Sequence, residues 1–189
     1  MHAPSLLMIV AGYLSGSLMF SLWLARLRGG DVRSVGDRNP GAVNAFKAAG
    51  PVVGVPALLL DFLKGAVPVA IAIRVAGVDG WWLVPVMLAP VLGHAFPALA
   101  RLRGGKALAV TFGVWAGVTL WEVPCAMGLA FTLGKLGLRF EEDAHSVLLG
   151  MSTLVIFVIL RYGSAPLIVA ALLNAAVVIF KHRRELSRA

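Results

Sequence analysis

Long apolar stretches separated by short polar connections run along almost the whole of this chain. The stretches cover residues 4–25, 51–74, 81–100, 107–121, 123–134, 146–160 and 163–180. A helix that crosses a bilayer needs about 20 mostly apolar residues. The pattern therefore predicts an all-α bundle, with about seven transmembrane helices. The stretch at 123–134 is the shortest, and we expect it to cross the membrane alone or to merge with a neighbour.

The composition predicts a polytopic integral membrane protein. Hydrophobic residues make up 59% of the 189 residues, charged residues make up only 14%, and the mean hydropathy is +0.88. Charged residues form about a quarter of an ordinary soluble domain. The first stretch has no cationic flank before it and no small-residue cleavage site after it, so we expect it to remain as a helix. Repeats and linkers are absent from the sequence, and residues 1–189 are predicted to form a single domain.

Basic residues are distributed unevenly between alternate connections, and this predicts the orientation of the chain. With the N-terminus outside, the cytoplasmic segments hold all of the 17 lysines and arginines except Lys64, Arg74 and Arg161. Because cytoplasmic loops retain Lys and Arg, we predict an outside N-terminus and a cytoplasmic C-terminus. Topology with attraction to membrane lipids explains the net charge of +8 as well as an anionic-substrate site does. Nucleic acid is not expected, since no basic stripe with interleaved aromatic residues is present.

The few cysteines and histidines predict neither a disulfide nor a metal site. Cys125 is the single cysteine, and it stands in an apolar stretch. The histidines lack the i, i+4 spacing of a metal-binding helix, and no carboxylate cluster completes a ligand set. We therefore expect no metal and no cofactor.

Two pairs of glycines have the spacing of closely packed membrane helices. Gly12 is followed by Gly16, and Gly113 by Gly117. Small residues four positions apart let helix backbones approach one another. Packing inside one bundle and packing at a dimer face both fit this spacing, so the oligomeric state stays open.

The first long polar connection contains candidate ligands for an anion. Asn39 and Asn44 supply amide donors, and Lys47 supplies positive charge. Glycines and Pro40 allow a compact turn that can hold a phosphate. In an ordinary interhelical loop, Asn39 instead caps a helix that begins at Pro40 or Gly41. Composition alone favours this second interpretation.

Ionisable residues also occur within the apolar stretches. Asp61 and Lys64 are three positions apart, so they share one helix face and can neutralise each other or reach polar groups on neighbouring helices. A structural ion pair and a functional role are both open for them. His94 is either a hydrogen-bonded structural histidine or a catalytic base, with the structural role slightly favoured.

The turn Arg103-Gly104-Gly105-Lys106 stands directly before the fourth apolar stretch. Glycines at a helix N-terminus offer free backbone N–H groups and the positive end of the helix dipole, and the lysine adds a charge. This turn is not a P-loop, because Ala107 stands where Ser or Thr would bind magnesium. The alternatives are an anion cradle and a basic turn that flanks the membrane.

In their order along the chain, these segments resemble the bacterial acyl-phosphate:glycerol-3-phosphate acyltransferases of the PlsY type. The motifs that carry the resemblance are the loop 36–44, Asp61-Phe62-Leu63-Lys64-Gly65, Leu92-Gly93-His94-Ala95-Phe96-Pro97, Arg103-Gly104-Gly105-Lys106 and Lys181-His182-Arg183. The resemblance implies a seven-helix enzyme of the bacterial inner membrane with its active face towards the cytoplasm. Such an enzyme transfers a fatty acyl group from acyl phosphate to the sn-1 hydroxyl of glycerol 3-phosphate, which forms lysophosphatidic acid and phosphate in phospholipid biosynthesis.

The resemblance also implies roles for individual residues. Lys106 and His182 are the implied catalytic residues. The implied substrate-binding residues are Asn39, Asn44, Lys47, Gly104, Gly105, Lys106 and His182, and the implied supporting residues are Asp61, Lys64, His94 and Arg103. Because acyl phosphate is a mixed anhydride with a good leaving group, this chemistry needs positioning and anion stabilisation more than a covalent nucleophile.

The chain departs from the family pattern within the motifs themselves. Residues that differ from the family's serine, threonine, glycine and asparagine are Asp37, Val43, Ala107 and Glu185, respectively. A carboxylate repels a phosphate unless a cation compensates. In one interpretation Asp37 pairs with Arg38 and Glu185 with Arg184, which leaves a diverged acyltransferase. In the other, the fold is a paralogue that binds lipid or a partner without turnover, or that takes a less anionic substrate.

Overall fold

The regular structure of this protein is helical throughout the part of the chain that the computed structural model describes, residues 3–98, 102–140 and 143–187. The α-helices are α1 (Ala3–Ser17), α2 (Phe20–Leu27), α3 (Ala42–Ala49), α4 (Pro51–Arg74), α5 (Leu83–Ala95), α6 (Leu108–Thr119), α7 (Glu122–Thr132), α8 (Asp143–Tyr162) and α9 (Ala165–Leu186). A 3-10 turn, Gly80–Trp82, leads into α5, and a π-helical turn, Leu133–Gly137, continues α7. The all-α prediction is confirmed.

Four helical segments within the described residues are long and apolar enough to cross a membrane. They are Ala3–Leu27, Pro51–Arg74, Ala144–Tyr162 and Ala165–Leu186. Gly80–Ala95 and Leu108–Thr119 are apolar but shorter. The count of about seven crossings, the orientation of the termini and the single domain stay predictions.

Large apolar side chains point away from the bundle along several helices. Leu7 and Leu14 on α1, Leu59 on α4 and Leu160 on α8 each expose more than half of their surface. In water a surface of this kind would drive association, whereas the hydrocarbon core of a bilayer solvates it. These faces are the ones that an integral membrane protein presents to lipid.

The first apolar stretch is predicted as one helix but forms two, α1 and α2. At the break between them, Nζ of Lys64 donates a hydrogen bond to the carbonyl oxygen of Leu18 at 2.6 Å. Oγ of Ser15 donates to the carbonyl oxygen of Lys64 at 2.9 Å. Helix α4 therefore contacts both the last turn of α1 and the break that follows it, through bonds that the apolar pattern does not encode.

Glycines let the helices approach closely inside the bundle. A Cβ atom at Gly113 would lie 1.9 Å from the carbonyl oxygen of Phe62, so α6 needs a glycine where it contacts α4. A Cβ atom at Gly16 would lie 2.1 Å from the carbonyl oxygen of Pro90, so the same holds where α1 contacts α5. The other glycine of each pair, Gly117 or Gly12, faces the same neighbouring helix as its partner. This confirms the interpretation of packing within one chain.

A buried polar network connects α6 to α9 in the apolar interior. Nε1 of Trp115 donates to Oδ1 of Asn174 at 3.1 Å, and Nδ2 of Asn174 donates to Oγ1 of Thr111 at 2.9 Å. All three side chains are buried. Hydrogen bonds between helices keep such polar groups satisfied where water is absent. This network positions the two helices whose ends carry the site described next.

Candidate functional site

Asp37 organises the polar loop between α2 and α3. Its Oδ1 accepts hydrogen bonds from the backbone N–H of Asn39 at 3.1 Å and from Nδ2 of Asn44 at 2.7 Å. Nδ2 of Asn44 also donates to the carbonyl oxygen of Asn39 at 2.9 Å. A carboxylate that accepts several such bonds holds a short loop in one conformation. The loop therefore presents Asn39 and Asn44 on the same side.

The prediction that Asn39 caps a helix beginning at Pro40 or Gly41 is wrong. Helix α3 begins at Ala42, with Gly41 in the N-cap position and no side-chain capping bond. The carbonyl of Asn39 instead accepts from the backbone N–H of Gly41 at 2.9 Å. This tight turn and the bond from the Asn44 side chain compete with the capping geometry.

Gly36 makes room for two candidate ligands of the loop. Its φ is +55°, which a glycine adopts without the strain of a side chain. A Cβ atom here would lie 2.5 Å from Oδ1 of Asn44 and 3.3 Å from Nζ of Lys47. Both side chains thus pack directly against the backbone of the loop.

The glycines before α6 pack against His94. The backbone N–H of Gly105 donates to the carbonyl oxygen of His94 at 3.0 Å. A Cβ atom at Gly105 would lie 2.1 Å from Nε2 of His94, and one at Gly104 would lie 2.0 Å from its carbonyl oxygen. The N–H of Gly105, predicted as a free donor for an anion, is therefore satisfied within the protein. Lys106 follows at once and is held beside this contact.

Lys106 contacts two carboxylates that come from distant parts of the chain. Its Nζ lies 2.6 Å from Oδ2 of Asp37, and it also donates to Oε1 of Glu185 near the end of α9. The expected pairing of Asp37 with Arg38 and of Glu185 with Arg184 is wrong, since no such ion pairs form among the residues that the structure describes. Both acids lie closer to the lysine that the fold brings between them.

The pKa values of Asp37 and Lys106 reflect this contact. Burial alone would raise the pKa of the Asp37 carboxyl, but hydrogen bonds from Lys106, the Asn39 N–H and Asn44 outweigh it, so the pKa lies below its ordinary 3.8. Burial alone would lower the pKa of Lys106, but hydrogen bonds to Asp37 and Glu185 outweigh it, so the pKa lies above its ordinary 10.5. Both groups are charged at neutral pH.

An inner cavity of about 430 Å³ opens beside this ion pair. Polar and charged side chains on its wall are Asp37, Asn39, Asn44, Lys47, Asp61, His94, Lys106, Lys135 and Glu185. Apolar residues, among them Val43, Leu58 and Leu108, complete the wall. Four of the residues predicted to bind substrate therefore meet in one cavity, although they belong to two segments about 60 positions apart.

A second cavity of about 800 Å³, the outer cavity, adjoins the first and shares part of its wall. Its basic lining residues are Arg33, Arg38, Arg103, Lys106, Lys181, Arg183 and Arg184. Asp37, Asn39, Lys106 and Glu185 line both cavities. The contact of Lys106 with two carboxylates thus lies on the wall that the two cavities share.

His182 is less accessible than its predicted role requires. Its side chain is buried, and its Nδ1 donates to the carbonyl oxygen of Val178 at 2.8 Å. The neighbouring Lys181 is a site residue that the sequence analysis named only as part of a motif. Nζ of Lys181 donates to the carbonyl oxygens of Ala95 and Gly104 at 2.9 and 3.2 Å, so it fastens α9 to the turn before α6.

Asp61, Lys64 and His94 form a buried cluster at the base of the inner cavity. Nζ of Lys64 lies 2.7 Å from Oδ1 of Asp61, and Nδ1 of His94 lies 3.9 Å from the same oxygen. All three side chains are almost completely buried. The predicted ion pair is confirmed, and through Leu18 it also reaches a neighbouring helix. Asp61 and His94 connect this cluster to the cavity wall.

Apolar helices around a cavity lined by lysines and amides are the arrangement of an integral membrane protein with a site for an anionic ligand. Residues 6–189 match the family described as glycerol-3-phosphate acyltransferase. The chain belongs to this family, as its resemblance to the PlsY type predicted.

Individual relatives agree with this assignment over nearly their whole length. Glycerol-3-phosphate acyltransferase 1 of Thermotoga maritima is 36% identical over 96% of this chain and 95% of the relative. The glycerol-3-phosphate acyltransferase of Aquifex aeolicus is 34% identical over 97% and 94%. A crystal structure of PlsY (YgiH), an integral membrane glycerol 3-phosphate acyltransferase in its glycerol 3-phosphate form, has a TM-score of 0.88 at 33% identity, over 97% of this chain and 90% of that one.

Proposed function

We propose that this protein transfers a fatty acyl group from acyl phosphate to the sn-1 hydroxyl of glycerol 3-phosphate. The products are lysophosphatidic acid and inorganic phosphate, and the protein acts at the cytoplasmic face of a bacterial inner membrane. Relatives named for this acyltransferase activity support the proposal, as do related structures described as the glycerol 3-phosphate and lysophosphatidic acid forms of PlsY. The observation that carries it is the inner cavity, where Lys47, Lys106 and Asn44 meet beside apolar helices.

The reaction balances without a covalent enzyme intermediate. The acceptor hydroxyl oxygen attacks the acyl carbonyl carbon, a new ester C–O bond forms, and the C–O bond to phosphate breaks. The proton of the hydroxyl moves to a phosphate oxygen or to a polar neighbour, and phosphate leaves. Positioning and stabilisation of negative charge are then the main contributions of the protein.

The cavity residues divide between these tasks. Lys106 lines both cavities, so it stabilises the phosphate that leaves and also contacts the phosphate of the acceptor, which Lys47 and Asn44 hold. Among the described residues Lys47 has no ion-pair partner, so its charge is available to a ligand. His182 is buried and bonds to Val178 within α9. Its assigned role is to support the end of α9 and the nearby contact of Lys106 with Asp37 and Glu185. The acyl chain lies along the apolar side of the cavity, near Leu58.

Phosphate release from acyl phosphate, measured with and without glycerol 3-phosphate, tests the proposal. Substitution Lys106→Ala is expected to lower turnover by about a hundredfold or more, as loss of one group that stabilises developing charge commonly does. Arg161→Ala is the matched control, because Arg161 is exposed and pairs with Glu122 away from the cavity, at 3.0 Å. Acceptor-dependent release that is equal in Lys106→Ala and the wild type would contradict the assigned role.

A second function is favoured by the two carboxylates on Lys106. They neutralise the cation that the reaction needs, which suits a paralogue that binds lipid or a partner without turnover. The same assay separates the two functions. A folded wild-type protein that releases no phosphate in the presence of both substrates would establish the non-catalytic alternative.

A further inference from the structure

Asp37 accepts hydrogen bonds from donors that are suited to a phosphate. The donors are the ammonium of Lys106, the amide of Asn44 and the backbone N–H of Asn39. Both hydrogens of the Asn44 amide are used, since its second bond goes to the carbonyl of Asn39. The protein's own carboxylate thus occupies an anion site formed from two segments.

Glu185 adds a second carboxylate to the same cation. Its Oε1 contacts Nζ of Lys106, while its Oε2 is buried and has no hydrogen-bond partner among the described residues. A buried oxygen without a partner is unfavourable. The contact of Glu185 with Lys106 therefore uses only one of the two carboxylate oxygens.

Each of the two acids has an arginine next to it in the chain. Arg38 follows Asp37 in the chain and Arg184 precedes Glu185, and the two arginines line the outer cavity. Lys106 lies on the wall shared by the outer and inner cavities. A ligand phosphate that reaches Lys106 can exchange with the carboxylates, which then lie beside a cavity lined by these arginines.

We propose that Asp37 and Glu185 are specificity-determining residues that compete with the substrate phosphate for Lys106, so that each carboxylate weakens the binding of glycerol 3-phosphate. This inference rests on the proposed function and concerns the same site. A phosphate must displace at least one carboxylate before it contacts the lysine. The affinity for phosphorylated substrates is then set by these acids as well as by the basic residues of the outer cavity.

Isosteric substitutions separate this competition from loop structure. Asp37→Asn keeps an oxygen for the bonds from Asn39 and Asn44 but places an amide towards Lys106. Glu185→Gln removes the second charge and keeps the shape of the side chain. Glu122→Gln is the matched control, because it neutralises a carboxylate that pairs with Arg161 outside both cavities.

Titration calorimetry of the purified full-length protein in detergent, with glycerol 3-phosphate as the probe, tests the inference. We expect about tenfold tighter binding for Asp37→Asn and for Glu185→Gln, and tighter binding for the double variant than for either single one. Glu122→Gln should bind like the wild type. In steady-state assays the KM for glycerol 3-phosphate should fall more than kcat changes.

The possible results distinguish this inference from the proposed function. Tighter binding by the variants, without phosphate release from acyl phosphate in the wild type or in any variant, would support the competition and refute the enzymatic function. Normal turnover with equal or weaker binding in both acid variants would overturn the competition and leave the function intact. Absence of glycerol 3-phosphate binding in the wild type and in every variant would overturn the competition as well.

Discussion

Asp37 joins the first polar loop to the turn before α6. One of its oxygens holds Asn39 and Asn44, and the other contacts Lys106. The residue thus acts on loop structure and on the charge of the cavity at once. Because the Asp37 carboxylate must be ionised to make both contacts fully, the stability that they provide depends on pH.

The contribution of Asp37 to stability should be lost in acid. Its pKa is lowered in the folded protein, so the stabilisation is fully present above the unfolded pKa, about 4, and is lost as the pH falls through the lower folded value. The thermal-unfolding midpoint of Asp37→Asn should lie below that of the wild type at neutral pH. The gap should narrow below about pH 4. A gap that stays constant down to pH 2 would argue against the ion pair.

The sequence predicted which residues meet at the site better than it predicted their partners. Asn39, Asn44, Lys47 and Lys106 line one cavity, as the family resemblance implied, although composition alone favoured an ordinary loop for the first segment. The partner of Lys106 depends on how close residues 37 and 185 come in space, and no local pattern encodes that distance. The same holds for the N–H of Gly105, which the carbonyl of His94 satisfies.

At the scale of helices, hydrophobic periodicity identified the elements but not their interruptions. Each apolar stretch contains a helix, although the one in the stretch 81–100 ends at Ala95, and the glycine pairs pack inside the bundle as one of the two interpretations held. The break between α1 and α2 was missed, because it depends on Lys64 reaching the carbonyl of Leu18 from another helix. Contacts between elements therefore decide where a membrane helix ends.

Removal of Lys64 should destabilise the bundle by stranding Asp61. The Lys64→Met substitution leaves a buried carboxylate without its cation and the Leu18 carbonyl without its donor. We expect a loss of about 3–5 kcal/mol in the free energy of unfolding, measured in detergent. Adding Asp61→Asn should recover a substantial part of that loss. A double variant less stable than Lys64→Met alone would contradict the account.

At the scale of the whole molecule, two groups of charged residues form contacts that are separate from each other. Asp37, Lys106 and Glu185 meet at one end, although they belong to the first loop, a middle turn and the last helix. Glu122 and Arg161 form an ion pair elsewhere, between the start of α7 and the end of α8. The predicted orientation places Arg161 outside and the three site residues at the cytoplasmic face, and it stays a prediction.

Labelling with a membrane-impermeant maleimide should reveal the orientation. In a Cys125→Ser background, which has no other cysteine, Asp79→Cys should react in intact cells. Ser187→Cys should react only after the membrane is permeabilised. Both positions are exposed, so accessibility in the protein does not limit the reaction. Reaction of Ser187→Cys in intact cells would place the C-terminus outside and reject the predicted topology.

The hydrogen bonds among Trp115, Asn174 and Thr111 have a consequence for how this protein can change. Thr111 stands about one turn after Lys106, and Asn174 stands about three turns before Glu185. A mutation of any of these three residues would change how α6 packs against α9, and would thereby alter the contact of Lys106 with Glu185 without touching either residue. Evolutionary change at the charged site is therefore coupled to change in the apolar interior of the bundle.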